Sequence, residues 1–142
     1  MIDSGERLYL EQARLFANIS LESVEHLLEG CECLKLERGE HLLEAGVANS
    51  NLFLVLDGEL RVYLTDRNLP AQALLGAGDC VGEMSLLDGQ AASALVLAAR
   101  DTQLLVVPHE VLWALVDCSH GVARNLLAIL SGRMRALSLI HI

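Results

Sequence analysis

The chain has 142 residues, of which 53% are hydrophobic and only 4% aromatic, and its formal net charge is −9. That length suits one ordinary domain burying about two thirds of its unfolded surface, with little left over for disordered tails. An acidic chain repels a phosphate backbone, and so few rings offer no stacking platform for single strands, so no direct nucleic-acid partner is expected.

The charge is uneven. Residues 118–142 hold Arg124, Arg133 and Arg135 and no acid, a local +3 that leaves −12 for the first 117 residues. Three arginines on one helix read as a solvated face. The absence of any run of 18 uncharged apolar residues, together with an acidic N-terminus, predicts neither a membrane span nor a secretory signal, hence a cytoplasmic protein. Cys31 and Cys33 form a C-x-C on one face of a strand, with no second close pair to complete a zinc site. With Cys80 and Cys118 they are expected to be buried, reduced thiols.

In chain order, "ERLYLEQARLFANIS" (6–20) sets Leu8, Ala13, Leu15 and Phe16 among charges, which predicts a short amphipathic helix. A second helix is predicted from Ser20, with Ser23, Glu22 and Glu25 in its first turn and Gly30 as its stop. Its apolar face is Leu21, Val24, Leu27 and Leu28. After Gly30 the period falls to about two. "CECLKLERG" alternates Cys31, Cys33 or Leu34, and Leu36 with charges, and "EHLLEAG", "SNLFLVLDG", "ELRVYLTD", "AQALLGAGD", "SALVLAAR" and "TQLLVVP" follow. Short runs recurring every eight to twelve residues between turn formers are the signature of a β-sandwich or barrel. Asp57-Gly58-Glu59 reads as a tight hairpin, with Gly58 taking a positive φ.

Pro108 closes the last strand and is placed to open a helix, "PHEVLWALVDCS", which Gly121 or the Ser119–His120 pair interrupts. A final helix carries Leu126, Ile129, Leu130, Met134 and Leu137 three or four apart. Mid-helix Gly132 costs about 1 kcal/mol relative to Ala, which a close helix crossing would offset. The expected fold class is therefore mainly β: a jelly roll of about eight strands with N-terminal helices and two C-terminal helices. It forms one domain over 1–142, divided into helices (1–30), jelly roll (31–107) and helices (108–142). A final apolar stripe with nothing after it folds back on the core or pairs with a second copy, so a homodimer through residues 123–140 is expected.

"RGEHLLEAGVANSNLFLVLDGELRVY" (38–63) resembles the opening of a cyclic nucleotide-binding domain of the catabolite-activator type. Gly39-Glu40 precedes a strand, Gly46 turns it, and Phe53, Val55, Gly58 and Val62 follow at the family's spacing. "LGAGDCVGEMSLLDGQAASALVLAARDTQLLVVP" is similar to that family's phosphate-binding cassette and the strands after it. The likeness runs over about residues 10–140. It implies a regulatory domain for signal transduction, with Gly82, Glu83, Met84, Ser85, Ala92 and Ser93 at the ligand. By the resemblance, a strand delivers the chain to Gly82 and the short helix after it turns N–H groups toward a cyclic phosphate. Glu83 matches the residue that accepts a hydrogen bond from the ribose 2′-hydroxyl, and Ser93 a small phosphate contact.

The family places an arginine just before that small residue, where its fork holds two phosphate oxygens. Here Gln90-Ala91-Ala92-Ser93-Ala94 puts Ala92 in its place. A missing charge-assisted bond of about 1.5–3 kcal/mol weakens binding roughly ten- to a hundred-fold, so cAMP or cGMP is expected as a weak ligand at most. Arg124, at the start of the last helix, is the best substitute cation; Arg61 and Arg100 read as exposed strand residues. No catalytic grouping and no metal-ligand spacing among the five histidines is visible, so neither an enzyme nor a metal site is expected. Two functions follow: a sensor domain with weakened or absent cyclic-nucleotide binding, or a ligand-independent dimerisation module or sensor of a different small molecule, possibly part of a larger regulator.

Overall fold

The computed structural model describes residues 3–63, 71 and 73–141, the last six of these by their backbone alone. Leu64–Asp66, Gln72 and the side chain of Leu137, all part of the expected elements, lie outside this description.

The N-terminal third is less helical than its periodicity predicts. Helix α1 spans Ser4–Glu11, with the Asp3 carboxylate accepting from the Glu6 N–H at 2.7 Å as its cap. The chain then leaves the helix for a single 3-10 turn at Arg14–Phe16. Leu8, expected on the apolar face, is exposed, while Leu10, Ala13, Leu15 and Phe16 are buried. The second predicted helix is likewise broken, into a 3-10 turn at Leu21–Ser23 and a four-residue α2 at Glu25–Leu28. The Ser20 side chain caps neither piece. Segments this short gain little from helix cooperativity and follow the core beneath them.

Eight strands follow among the described residues: β1 (Glu32–Leu36), β2 (His41–Leu43), β3 (Asn51–Asp57), β4 (Glu59–Tyr63), β5 (Ala73–Gly76), β6 (Cys80–Val81), β7 (Leu95–Ala98) and β8 (Thr102–Pro108). They form two four-stranded antiparallel sheets, ordered β1-β8-β3-β6 and β2-β7-β4-β5, as the jelly-roll expectation required. Between the sheets lie Leu36, Phe53, Val55, Leu60, Val96 and Leu104.

The first sheet is covered on both faces, and this explains the unbroken apolar run of β3. Phe53 and Val55 point between the sheets, whereas Leu52, Leu54 and Leu56 pack under the helices with Leu15, Leu105, Val107, Leu112 and Leu115. The second sheet has a solvated face, so β4 alternates: Leu60 is buried and Arg61 exposed. In β1 the inward residues are Leu34 and Leu36; Cys33 is exposed beside Glu6, and Cys118 is exposed too, so only Cys80 fits the expectation of a buried thiol.

The Asp57-Gly58-Glu59 turn is a correction. Gly58 does take a positive φ, 122°, but β3 and β4 belong to different sheets, so the turn is a corner between layers rather than a hairpin. The Glu59 N–H donates to Thr102 Oγ1 at 3.1 Å, and a Cβ on Gly58 would strike the backbone of Thr102. Only glycine lets the two sheets meet this closely.

Helix α4 (His109–Cys118) starts directly after Pro108, and Ser119 separates it from α5 (His120–His141). The Ser119 hydroxyl accepts from the Val122 N–H at 3.2 Å, so the break belongs to Ser119 and Gly121 lies inside the new helix. Asn125 ties α5 to the N-terminal segment, donating to the carbonyls of Leu15 and Ala17 at 2.8 and 2.9 Å. Val122 and Leu126 are buried, but Met134, expected on the same stripe, is exposed. No described atom lies where a side chain on Gly132 would project, so no crossing by the described residues offsets that glycine.

Candidate functional site

Strand β6 pairs with β3 through Val81 and Cys80, and delivers the chain to Gly82. Gly82 has φ 100°, and a side chain there would collide with the Asn51 carbonyl. The left-handed turn thus redirects the chain into α3 (Glu83–Asp88), and the Gly82 carbonyl lies 3.3 Å from the His109 Nε2 atom at the start of α4. Gly89, at φ 67°, ends α3 in the same left-handed region. Of its six residues Glu83, Ser85 and Leu86 are buried, whereas Met84 and Leu87 face outward.

Glu83 is only 2% exposed, although it is a carboxylate. Such a group needs a partner. It has one in Arg133, which reaches from α5, bonding Glu83 Oε1 with one guanidinium nitrogen and the Cys80 carbonyl with another. Burial works against the charge on Arg133; the bond to Glu83, with the nearby Glu83 and Asp79 carboxylates, outweighs it and holds the guanidinium above its ordinary pKa. Glu83 Oε2 has no hydrogen-bond partner among the described residues. The same burial pushes the Cys80 thiol up to about 12, so it stays protonated and unreactive.

After α3 the chain returns beside the loop following β2. The Ala92 N–H donates to the Val47 carbonyl and the Gly46 N–H donates to the Ala92 carbonyl, each at 3.0 Å. Ala92 and Ala94 are buried, and Ser93 between them is exposed. A cleft of about 370 Å³ opens next to this strand, lined by His41, Glu44, Val47, Asn49, Asn51 and Phe53.

Comparison with known proteins now decides the family. The sequence profile described as "Cyclic nucleotide-binding domain" matches residues 33–118. The chain belongs to the cyclic nucleotide-binding domain family. A protein named Cyclic AMP receptor protein, from Thermus thermophilus, is 35% identical over 130 residues, 88% of this chain and 59% of that protein. The crystal structure of Thermus thermophilus Catabolite Activator Protein superposes with a TM-score of 0.79 at 34% identity, covering 89% of this chain and 61% of that one. A cyclic nucleotide-binding domain from Methylobacillus flagellatus gives 0.75 at 30% identity, covering 92% and 77%. The chain thus spans less than two thirds of the Thermus proteins it matches.

Within the cyclic nucleotide-binding fold, the six expected site residues divide. Gly82, Glu83, Ser85 and Ala92 are packed at the turn, in α3 and in the segment leading to β7, whereas Met84 and Ser93 face outward. Among the described residues, the one arginine bonded to a side chain of residues 82–94 is Arg133. Arg124, the best of the substitutes the sequence offers, is exposed on α5; Arg61 is exposed on β4, and Arg100 reaches Asp57 at 3.7 Å on the surface. The expectation that Arg133 lies on a solvated face is thus corrected: it turns inward to Glu83, while Met134, the expected stripe residue, is exposed. The signal for Arg133 was the phase itself, since position 133 follows Leu126, Ile129 and Leu130 at helical spacing as well as 134 does.

Proposed function

We propose that this domain is a ligand sensor whose cassette binds cAMP and cGMP weakly, because Ala92 leaves the phosphate without a guanidinium. The observation that carries the reading is the buried Glu83. One of its oxygens is held by Arg133 of α5 and the other has no partner among the described residues. A carboxylate fixed in this way is an acceptor ready for a ligand hydroxyl, which fits the ribose of a nucleotide. Gly82, Ser85 and Ser93 complete the site from the backbone and from hydroxyl groups. Because Arg133 bonds both β6 and α3, the position of α5 is tied to the content of the cassette, and α5 carries the signal to an output. No reaction is assigned to the domain.

A second role is pairing. Leu127 and Met134 are each 67% exposed and sit seven residues apart on α5, the spacing of a helix–helix seam. A second copy joined along α5 would cover them.

Calorimetric titration tests the ligand reading. Dissociation constants for cAMP and cGMP are expected to be weaker than about 10 μM, and a submicromolar value would contradict the weakened site.

A further inference from the structure

The spacing of the histidines suggests no metal site, yet one of them stands at the cassette. His109 opens α4, half-buried, with its Nε2 atom 3.3 Å from the Gly82 carbonyl. A carbonyl oxygen only accepts, so this bond requires the proton on Nε2. The backbone of His109 is fixed as well, because its N–H donates to the Ser50 carbonyl at 2.9 Å. Asn51, next along the same loop, pairs with Pro108 at the end of the β3–β8 ladder, and its carbonyl lies where a Cβ on Gly82 would fall. Asn49 stiffens that loop: its amide donates to the Asn51 carbonyl at 2.8 Å, and its Oδ1 accepts from the Asn51 N–H at 3.1 Å.

The turn at Gly82 is therefore bounded from two sides. Asn51 sets how closely the chain approaches, and His109 sets which way the Gly82 carbonyl points. Glycine has more backbone freedom than any other residue, so its left-handed state, φ 100°, depends on such contacts. With six residues, α3 gains little from helix cooperativity and keeps its place through its ends. Its far end is closed by the Gly89 N–H donating to the Ser85 carbonyl at 3.0 Å. At its near end Gly82 offers no side-chain cap, and Glu83 follows at once on its way to Arg133.

We propose that His109 is a positioning residue of the cassette: the bond from its Nε2–H to the Gly82 carbonyl holds the left-handed turn, and with it the placement of Glu83. Its effect on ligand affinity rests on the reading of the cassette as the ligand site.

The test compares His109→Ala and His109→Leu, which remove the donor, with His109→Gln, whose amide nitrogen replaces it. Amide hydrogen exchange and calorimetry with cAMP are measured on the full chain. Without the donor, the α3 and Gly89 amides are expected to exchange about fivefold faster relative to those of β3. The dissociation constant for cAMP should weaken about threefold or more, and Gln should restore most of both. A Gln variant that fares no better than Ala and Leu would overturn the proposal. So would unchanged α3 protection without the donor, or a cAMP constant that stays the same when protection is lost. If the wild-type chain takes up no cAMP at millimolar concentration, the ligand reading fails, and the exchange measurement alone decides the hold on the turn.

Discussion

Glu83 and Arg133 form a buried ion pair, and the energy of such a pair lies mainly in what happens when half of it is removed. Glu83→Gln leaves a guanidinium facing an amide, and Arg133→Met leaves a carboxylate in the core with no partner at all. Each single change is expected to cost about 3 kcal/mol of stability in chemical denaturation. The double variant should lose at least about 2 kcal/mol less than the sum of the two. Additive losses would mean that the two side chains do not meet. The carboxylate itself was legible in the sequence, as was the alanine in the arginine position, because both sit in a segment whose glycines fix the register. Its partner was not. A helix stripe allows Arg133 or Met134 to turn inward at that point, and only the place where α5 crosses β6 decides between them.

Strand patterns were legible where the physics is local and misread where it is not. β3 and β8 carry unbroken apolar runs, Leu52–Leu56 and Leu104–Val107, because helices cover one face of their sheet, while β4 alternates because its sheet meets water on that side. The glycine at 58 was recognised, and its positive φ follows from the residue type. Its role as a corner rather than a hairpin depends on which sheet each neighbouring strand joins, and nothing within a few residues states that. Gly58→Ala places a methyl against the Thr102 backbone at an unfavourable φ, so a loss of about 2 kcal/mol or more is expected, read as a fall in Tm. An unchanged Tm would mean that the corner relaxes freely. The N-terminal helices were overestimated for a related reason. Periodicity picks out Ala13, Leu15 and Phe16, which are buried, but also Leu8, which is exposed, and it passes over the buried Leu10; the chain breaks into turns to bring the buried residues onto one surface.

At the scale of the molecule, two layers of β-structure fix the cassette from one side and α5 reaches it from the other. The helix is anchored at its start by Asn125 and farther along by Arg133, and between these points it presents Leu127 to the outside. In the pairing proposed above, a second α5 covers that residue and Met134. Light scattering is expected to give twice the 15.4 kDa chain mass. Replacing both Leu127 and Met134 with Lys should return the monomer mass without lowering the affinity of the cassette. A wild-type chain that remains monomeric at high concentration would rule out pairing through α5.

The central claim is that position 92 has given up the phosphate, and cAMP titrated into the wild-type chain and into Ala92→Arg tests it most directly. Restoring a guanidinium there should tighten cAMP about tenfold or more, from a constant weaker than about 10 μM. Equal affinities for the two folded proteins, or a submicromolar constant for the wild type, would contradict the claim.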